Sequence, residues 1–225
     1  MRALLSVLSA AVLVLLVVAV ALPLLRPMES LPWYDLGALR TGDLLLFNTC
    51  SAGSDLIKFA LRTPYVHVGL VARDGRGRVF LFDTGLKGTR LRLLSRRLAA
   101  YKNEICVVRP LLYNGAGGAD GAGGVNESAF RAVVRELLGQ PYSYNVVPLC
   151  LSAWLGRAAP IPRRWEAPKH GRVCTELVAD VYGKLGVLDL SGLDSQQLTP
   201  RDYTVGSAPL PFMAGFALGK EYRLN

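Results

Sequence analysis

A chain of 225 residues, 51% of them hydrophobic, has enough apolar material for one domain with a sizeable core and is no disordered polyelectrolyte. The formal net charge is +9, but no nucleic-acid recognition motif accompanies it, so the basic residues read as a solvated or lipid-facing surface. Four cysteines without a C-x-x-C pair exclude a zinc ribbon and a thioredoxin-type motif, chain size and cysteine density disfavour a disulfide scaffold, and with only two histidines any Cys–His chemistry must use His67 or His170.

The chain opens on residues 3–25, which carry no charge and only two weakly polar residues, Ser6 and Ser9. This run exceeds the roughly 20 residues needed to cross a bilayer. It is also longer than the apolar region of a secretory signal, although Ala19-Val20-Ala21 would suit a cleavage site. The expectation is a single-pass membrane anchor over 1–26, a linker over 27–39, a catalytic domain over 40–212 and a tail over 213–225. Arg2 and Arg26 balance across the run, so the side of the membrane stays open.

Gly42-Asp43 opens an apolar run at 44–47, a short buried strand. Ser54-Asp55 reads as a helix start, followed by Leu56, Ile57, Phe59, Ala60 and Leu61 and ended by Pro64. Residues 65–72 and 78–84 read as two strands joined by the turn Arg73-Asp74-Gly75-Arg76-Gly77. Residues 90–94 alternate, within an arginine cluster of Arg90, Arg92, Arg96 and Arg97, and 104–111 is a further strand. A glycine–alanine loop fills 115–124. Asn126-Glu127-Ser128 fits a glycosylation acceptor if this side of the membrane is luminal.

An amphipathic helix is expected at 127–138, ended by Gly139, and an apolar buried helix at 146–155. The last helix, 174–185, places Cys174, Leu177, Val178, Val181, Tyr182 and Leu185 on one stripe before Gly186. Strands first and helices after predict α+β packing: a mixed sheet of about five strands with helices after it, preceded by one transmembrane helix.

Three residues stand out chemically. Cys174 opens its helix, where free backbone N–H groups and the helix dipole stabilise a thiolate and can receive an oxyanion. A buried structural cysteine is the plainer alternative. His67 lies mid-strand and shares its face with Tyr65, Gly69 and Val71, so a glycine leaves room beside it. A hairpin loop of three or five residues sets His67 opposite Asp83 on the same face, whereas a two-residue loop would break the alignment. A carboxylate there holds one imidazole nitrogen, as the third member of a triad does. His170, four residues before Cys174, is the competing base and reads as a surface-loop histidine.

Gly42-Asp43-Leu44-Leu45-Leu46-Phe47, His67-Val68-Gly69-Leu70-Val71, Leu138-Gly139-Gln140-Pro141-Tyr142 and Cys174-Thr175-Glu176-Leu177-Val178 together resemble the NlpC-type branch of the papain-like cysteine hydrolases. In the standard order of that family the cysteine helix comes first. Here it comes last, so the chain resembles the circularly permuted subgroup. That subgroup includes YiiX-like and poxvirus-type proteins, with lecithin–retinol acyltransferases as more distant relatives. Leu198-Thr199-Pro200 also fits the YiiX-like pattern. The resemblance spans about residues 40–203. It implies a permuted papain-like fold of α+β class with an antiparallel sheet of about five strands packed against helices, Cys174 as nucleophile, His67 as base, Asp83 as the residue that orients it, and Tyr142 as a contributor to the oxyanion hole.

The usual Cys-Ser-Gly is Cys174-Thr175-Glu176 here, and the glycine pair after the tyrosine segment is missing, which weakens a cell-wall peptidase reading. The expected activity is cleavage of an amide or ester bond in a peptide or lipid-like acyl substrate through a Cys174 thioester, with no metal or cofactor required. An acyltransferase or thioesterase of the same fold and a non-catalytic membrane-tethered binding module are the alternatives. A Cys/His zinc site is disfavoured by ligand spacing. Nucleic acid is not an expected partner, and the oligomeric state stays open.

Overall fold

The computed structural model describes residues 28–101, 104–114, 125–143, 153–155 and 171–225. In chain order the regular elements are β1 (Leu44–Thr49), α1 (Ala52–Leu61), β2 (His67–Arg73), β3 (Val79–Gly85), β4 (Gly88–Leu93), α2 (Leu94–Ala100), β5 (Glu104–Arg109), β6 (Leu111–Tyr113), α3 (Glu127–Leu137), α4 (Cys174–Lys184), β7 (Phe216–Leu218) and β8 (Tyr222–Arg223). Among the described residues four short 3-10 turns lie outside these elements.

Leu44, Leu45, Leu46 and Phe47 are all fully buried, and the reason lies in where β1 sits. It runs antiparallel to β2 on one side, Leu46 facing Val68, and to β5 on the other, Leu46 facing Val107. The sheet order is β4-β3-β2-β1-β5-β8, so β1 is central. Both faces of the sheet are covered. Leu44, Leu46, Val68, Leu70, Phe82 and Val107 pack with side chains of α3 and α4. Leu45, Phe47, Val71, Leu81, Cys106 and Val108 pack with Leu94 of α2, Leu39 and Leu224. A strand buried on both faces reads as a continuous apolar run rather than an alternation. Each such side chain contributes roughly 1.5–3 kcal/mol of hydrophobic stabilisation.

The α+β class and the antiparallel sheet therefore agree with expectation, with four differences. The main sheet has six strands rather than about five, and β6 and β7 form a separate pair. The residues expected as a C-terminal tail supply β7 and β8, and β8 pairs with β5 through Val107 and Val108. Residues 94–100, which the alternation of 90–94 does not foretell, turn into α2 directly from β4. Finally, α1 starts two residues before Ser54, because Ser51 is its N-cap and its side chain accepts the Ser54 N–H.

The apolar run at 3–25, Cys150 and His170 lie outside the described residues, and so does most of the helix expected at 146–155. Of that helix, residues 153–155 are helical, and Trp154 and Leu155 are exposed rather than buried. Among the described residues no helix is long and apolar enough to cross a membrane.

Polar anchors hold the frame around the site. The Asp43 carboxylate accepts the Arg40 and Leu111 N–H groups at 2.8 and 2.9 Å. The Tyr182 hydroxyl donates to the Gly42 carbonyl at 2.8 Å, tying α4 to the start of β1. The Tyr203 hydroxyl donates to the Thr175 carbonyl at 2.9 Å, which fixes the first turn of α4.

Candidate active site

Cys174 is the first residue of α4, and His67 the first residue of β2. The thiol of Cys174 is buried, and the His67 imidazole and the backbone N–H groups of Val68 and Thr175 act on it. His67 Nε2 lies 2.8 Å from Asp83 Oδ2. That leaves the other ring nitrogen, Nδ1, to serve the thiol. Asp83 is almost wholly enclosed, its side chain 1% exposed against 20% for His67.

The contact between His67 and Asp83 arises from a different register than the one expected. Asp74 organises the hairpin loop by accepting the N–H groups of Arg76 and Arg78 at 3.0 and 2.9 Å. The strands then pair Arg73 with Val79 and Leu70 with Phe82. Continuing that register sets Gly69, not His67, across from Asp83, so the expected alignment is displaced by two residues. A shift of two keeps side chains on their face, and a diagonal pair lies within reach of an imidazole.

Gly69 makes the diagonal contact possible. A Cβ at Gly69 would stand 2.6 Å from Leu81 Cδ1, 3.0 Å from the Phe82 carbonyl oxygen and 3.1 Å from Asp83 Cβ. The backbone oxygen has nowhere to go. Gly69→Ala is therefore expected to destabilise the protein by about 1–3 kcal/mol and to push Asp83 off the imidazole. Urea unfolding and the pH dependence of Cys174 alkylation check the two effects separately.

Two arginines complete the row. The two-residue turn between Gly85 and Gly88 pairs Asp83 with Arg90 and Leu81 with Arg92. Arg92 Nη2 donates to Asp83 Oδ2, the oxygen that also meets His67, and Arg90 Nε lies 3.6 Å from Oδ1. The arginines at 90 and 92 thus belong to the site. Sequence reasoning gathers them only into a basic cluster. The signal that would have found them is the tight Gly85–Gly88 turn, which sets their side-chain parity against Asp83.

Charge alternates along this row. Burial works against the imidazolium, but the Cys174 thiolate and Asp83 outweigh it and raise His67 to about 10. Burial likewise opposes a thiolate at Cys174, yet the His67 cation and the N–H donors of Val68 and Thr175 lower its pKa. Asp83 is pushed up by burial and pulled further down by His67 and Arg92, with a net lowering. Cys106 is the contrast: burial, with Glu104 nearby and no histidine partner, pushes its thiol well up.

The fold brings Tyr142 against Val173, the residue before Cys174. The Tyr142 backbone bridges to Arg172, and its half-buried ring packs against Leu61 and Val173. Arg172 in turn binds Asp180 of α4 and the Gln140 side chain, which ties the Leu138–Tyr142 segment to the cysteine helix. A Cβ at Gly171 would meet Ser143 N and Tyr142 C at 2.9 Å, so this close crossing requires glycine. Glu176, where the resembled family has glycine, accepts the Val173 N–H. Burial and the nearby Asp180 raise it to about 7.

Among the described residues no group of three or more His, Cys, Asp or Glu side chains is placed to hold a metal ion. Asp83, the carboxylate that meets His67, already faces two guanidinium groups, which disfavours a cation there.

No protein-family model matches the chain. No curated protein matches it either. Among solved structures, the chain is similar to the crystal structure of the metalloprotein YiiX from Escherichia coli O157:H7. The TM-score is 0.47 and the identity 16%, over 83% of this chain and 97% of that one.

Proposed function

We propose that this chain is a thiol-dependent hydrolase of the permuted papain-like type, held at a membrane by its N-terminal apolar run, that cleaves an amide or ester bond through an acyl-Cys174 thioester. The observation that carries the reading is the position of His67, hydrogen-bonded to the buried Asp83 carboxylate and electrostatically coupled to the Cys174 thiol.

In that mechanism the Cys174 thiolate attacks the substrate carbonyl carbon, and the carbonyl electron pair moves onto oxygen. The Cys174 backbone N–H at the free end of α4 and the Tyr142 hydroxyl receive that oxyanion. The His67 imidazolium gives its proton to the leaving nitrogen or oxygen as that bond breaks, which leaves a thioester. Neutral His67 then takes a proton from water, the hydroxide attacks the thioester, and sulfur departs as thiolate beside a regenerated imidazolium. Asp83 keeps the ring oriented throughout, and Arg92 keeps Asp83 ionised.

The test uses an activated aryl ester as a generic acyl donor. A burst of phenol and an acyl mass increment located on Cys174 are the expected results, both lost in Cys174→Ala. Adding hydroxylamine or an alcohol separates hydrolysis from acyl transfer by the product formed. A chain that turns over no ester, and whose Cys174 acquires no acyl group, would return the site to a binding role.

A further inference from the structure

Helix α1 shows its apolar side chains to solvent. Leu56 is 69% exposed, Ile57 45% and Phe59 50%, while Leu61 faces inward. Trp154 and Leu155 extend the same patch: Phe59 and Trp154 lie edge to face with centroids 5.9 Å apart, and Trp154 Nε1 donates to the Ala60 carbonyl at 2.9 Å. A helix on a water-facing surface normally presents the opposite face.

A cationic cleft adjoins this patch. Arg62, Trp154, Leu155, Arg201 and Ser207 line a depression of about 380 Å³. The Arg62 guanidinium sits 5.2 Å over the Trp154 ring, and its Nε is buried without a hydrogen-bond partner. Among the described residues neither Arg62 nor Arg201 forms an ion pair. Asp202 also lines the cleft, but its carboxylate is taken by the Thr199 N–H and hydroxyl, each at 2.8 Å. Arg62 caps α1 at φ 53, a position that favours glycine, so the backbone alone does not account for an arginine there.

We infer that this face docks on a phospholipid bilayer, with the apolar side chains of α1 and Trp154 in the interfacial zone and Arg62 and Arg201 on lipid phosphates. An aromatic and aliphatic face rimmed by arginines that form no ion pair among the described residues has the chemistry of an interfacial helix rather than of a protein contact. The charge complements anionic head groups. The same chain also carries the uncharged run at 3–25, long enough to enter a bilayer. Only four residues lie between Arg62 and His67, a reach of at most about 18 Å, so docking sets the reactive row close to the membrane surface. The inference does not rest on turnover at Cys174.

The experiment takes the full chain, reconstituted into phosphatidylcholine vesicles with and without phosphatidylglycerol, the lipids brominated on their acyl chains. The emission of Trp154 is isolated by difference against Trp154→Phe. Quenching of Trp154 in the anionic vesicles is expected, weakened by high salt. Arg62→Gln/Arg201→Gln shifts docking roughly tenfold toward the undocked state, and Leu56→Asp/Phe59→Asp abolishes the quenching while the circular dichroism spectrum is retained. The proposal is overturned if Trp154 is unquenched in anionic vesicles, or if quenching ignores both variants. It is equally overturned if Leu56→Asp/Phe59→Asp converts a detergent-solubilised oligomer to monomer without changing quenching, since a second copy then occupies the face.

Discussion

Cys174 is expected to alkylate well below the ordinary thiol pKa of about 8.5, and His67→Ala to slow that reaction by roughly 10- to 100-fold at mildly acidic pH. The direction follows from the row of charges. The imidazolium of His67 lowers the Cys174 pKa, so the thiolate persists as pH falls. His67 itself is raised to about 10, so it stays charged through neutral pH and supports the thiolate there. Without His67 only the Val68 and Thr175 N–H groups oppose burial. Each unit of pKa lost is a tenfold loss of thiolate on the acid side.

Mass-spectrometric location of the label separates the cysteines. Exposed Cys50 is the reference, and buried Cys106, its thiol pushed up, is expected to be slowest. The variant should fold, because Asp83 keeps Arg92 as its partner. A Cys174 that reacts no faster than Cys50, or that ignores the loss of His67, would sink the ion-pair mechanism.

Asp83→Ala is expected to cost about 3–5 kcal/mol of stability, read as a lowered urea midpoint at unchanged slope. The carboxylate is enclosed and is the shared counter-ion of His67, Arg92 and, more distantly, Arg90. Deleting it leaves three cationic groups crowded on one sheet face. Asp83→Asn keeps the shape but not the charge and should fall between.

The pH dependence has a definite sign. The folded pKa of Asp83 is lowered, so its contribution is present above the unfolded value of about 3.9 and is lost as pH falls through the folded value. The alanine variant lacks that component, and its stability should fall less steeply on the acid side than that of the parent chain. Equal midpoints for the two proteins would show that the arginines find other partners and that the row is not a unit.

The local sequence determined a good deal here. The run of Leu44, Leu45, Leu46 and Phe47 marks a strand buried on both faces because no polar side chain interrupts it. Cys174 marks a helix start because the apolar stripe behind it has the helical period. His67 and Asp83 share a face because strand parity survives any even shift of register. Each of these depends on neighbours a few residues away, and side-chain periodicity carries such information directly.

What remained was decided at longer range. The displacement that sets Asp83 across from Gly69 depends on how the Asp74 carboxylate closes its loop. The guanidinium groups at Asp83 come from a third strand, whose parity is fixed by a separate turn at Gly85 and Gly88. The exposed side of α1 carries apolar residues, against what amphipathic patterning leads one to expect, because burial is settled by what packs on a helix and not by its composition. The thiol's acidity needs the tertiary structure as well as the helix start. Burial raises a cysteine, as it does at Cys106, and the meeting of β2 with the first turn of α4 reverses the sign at Cys174.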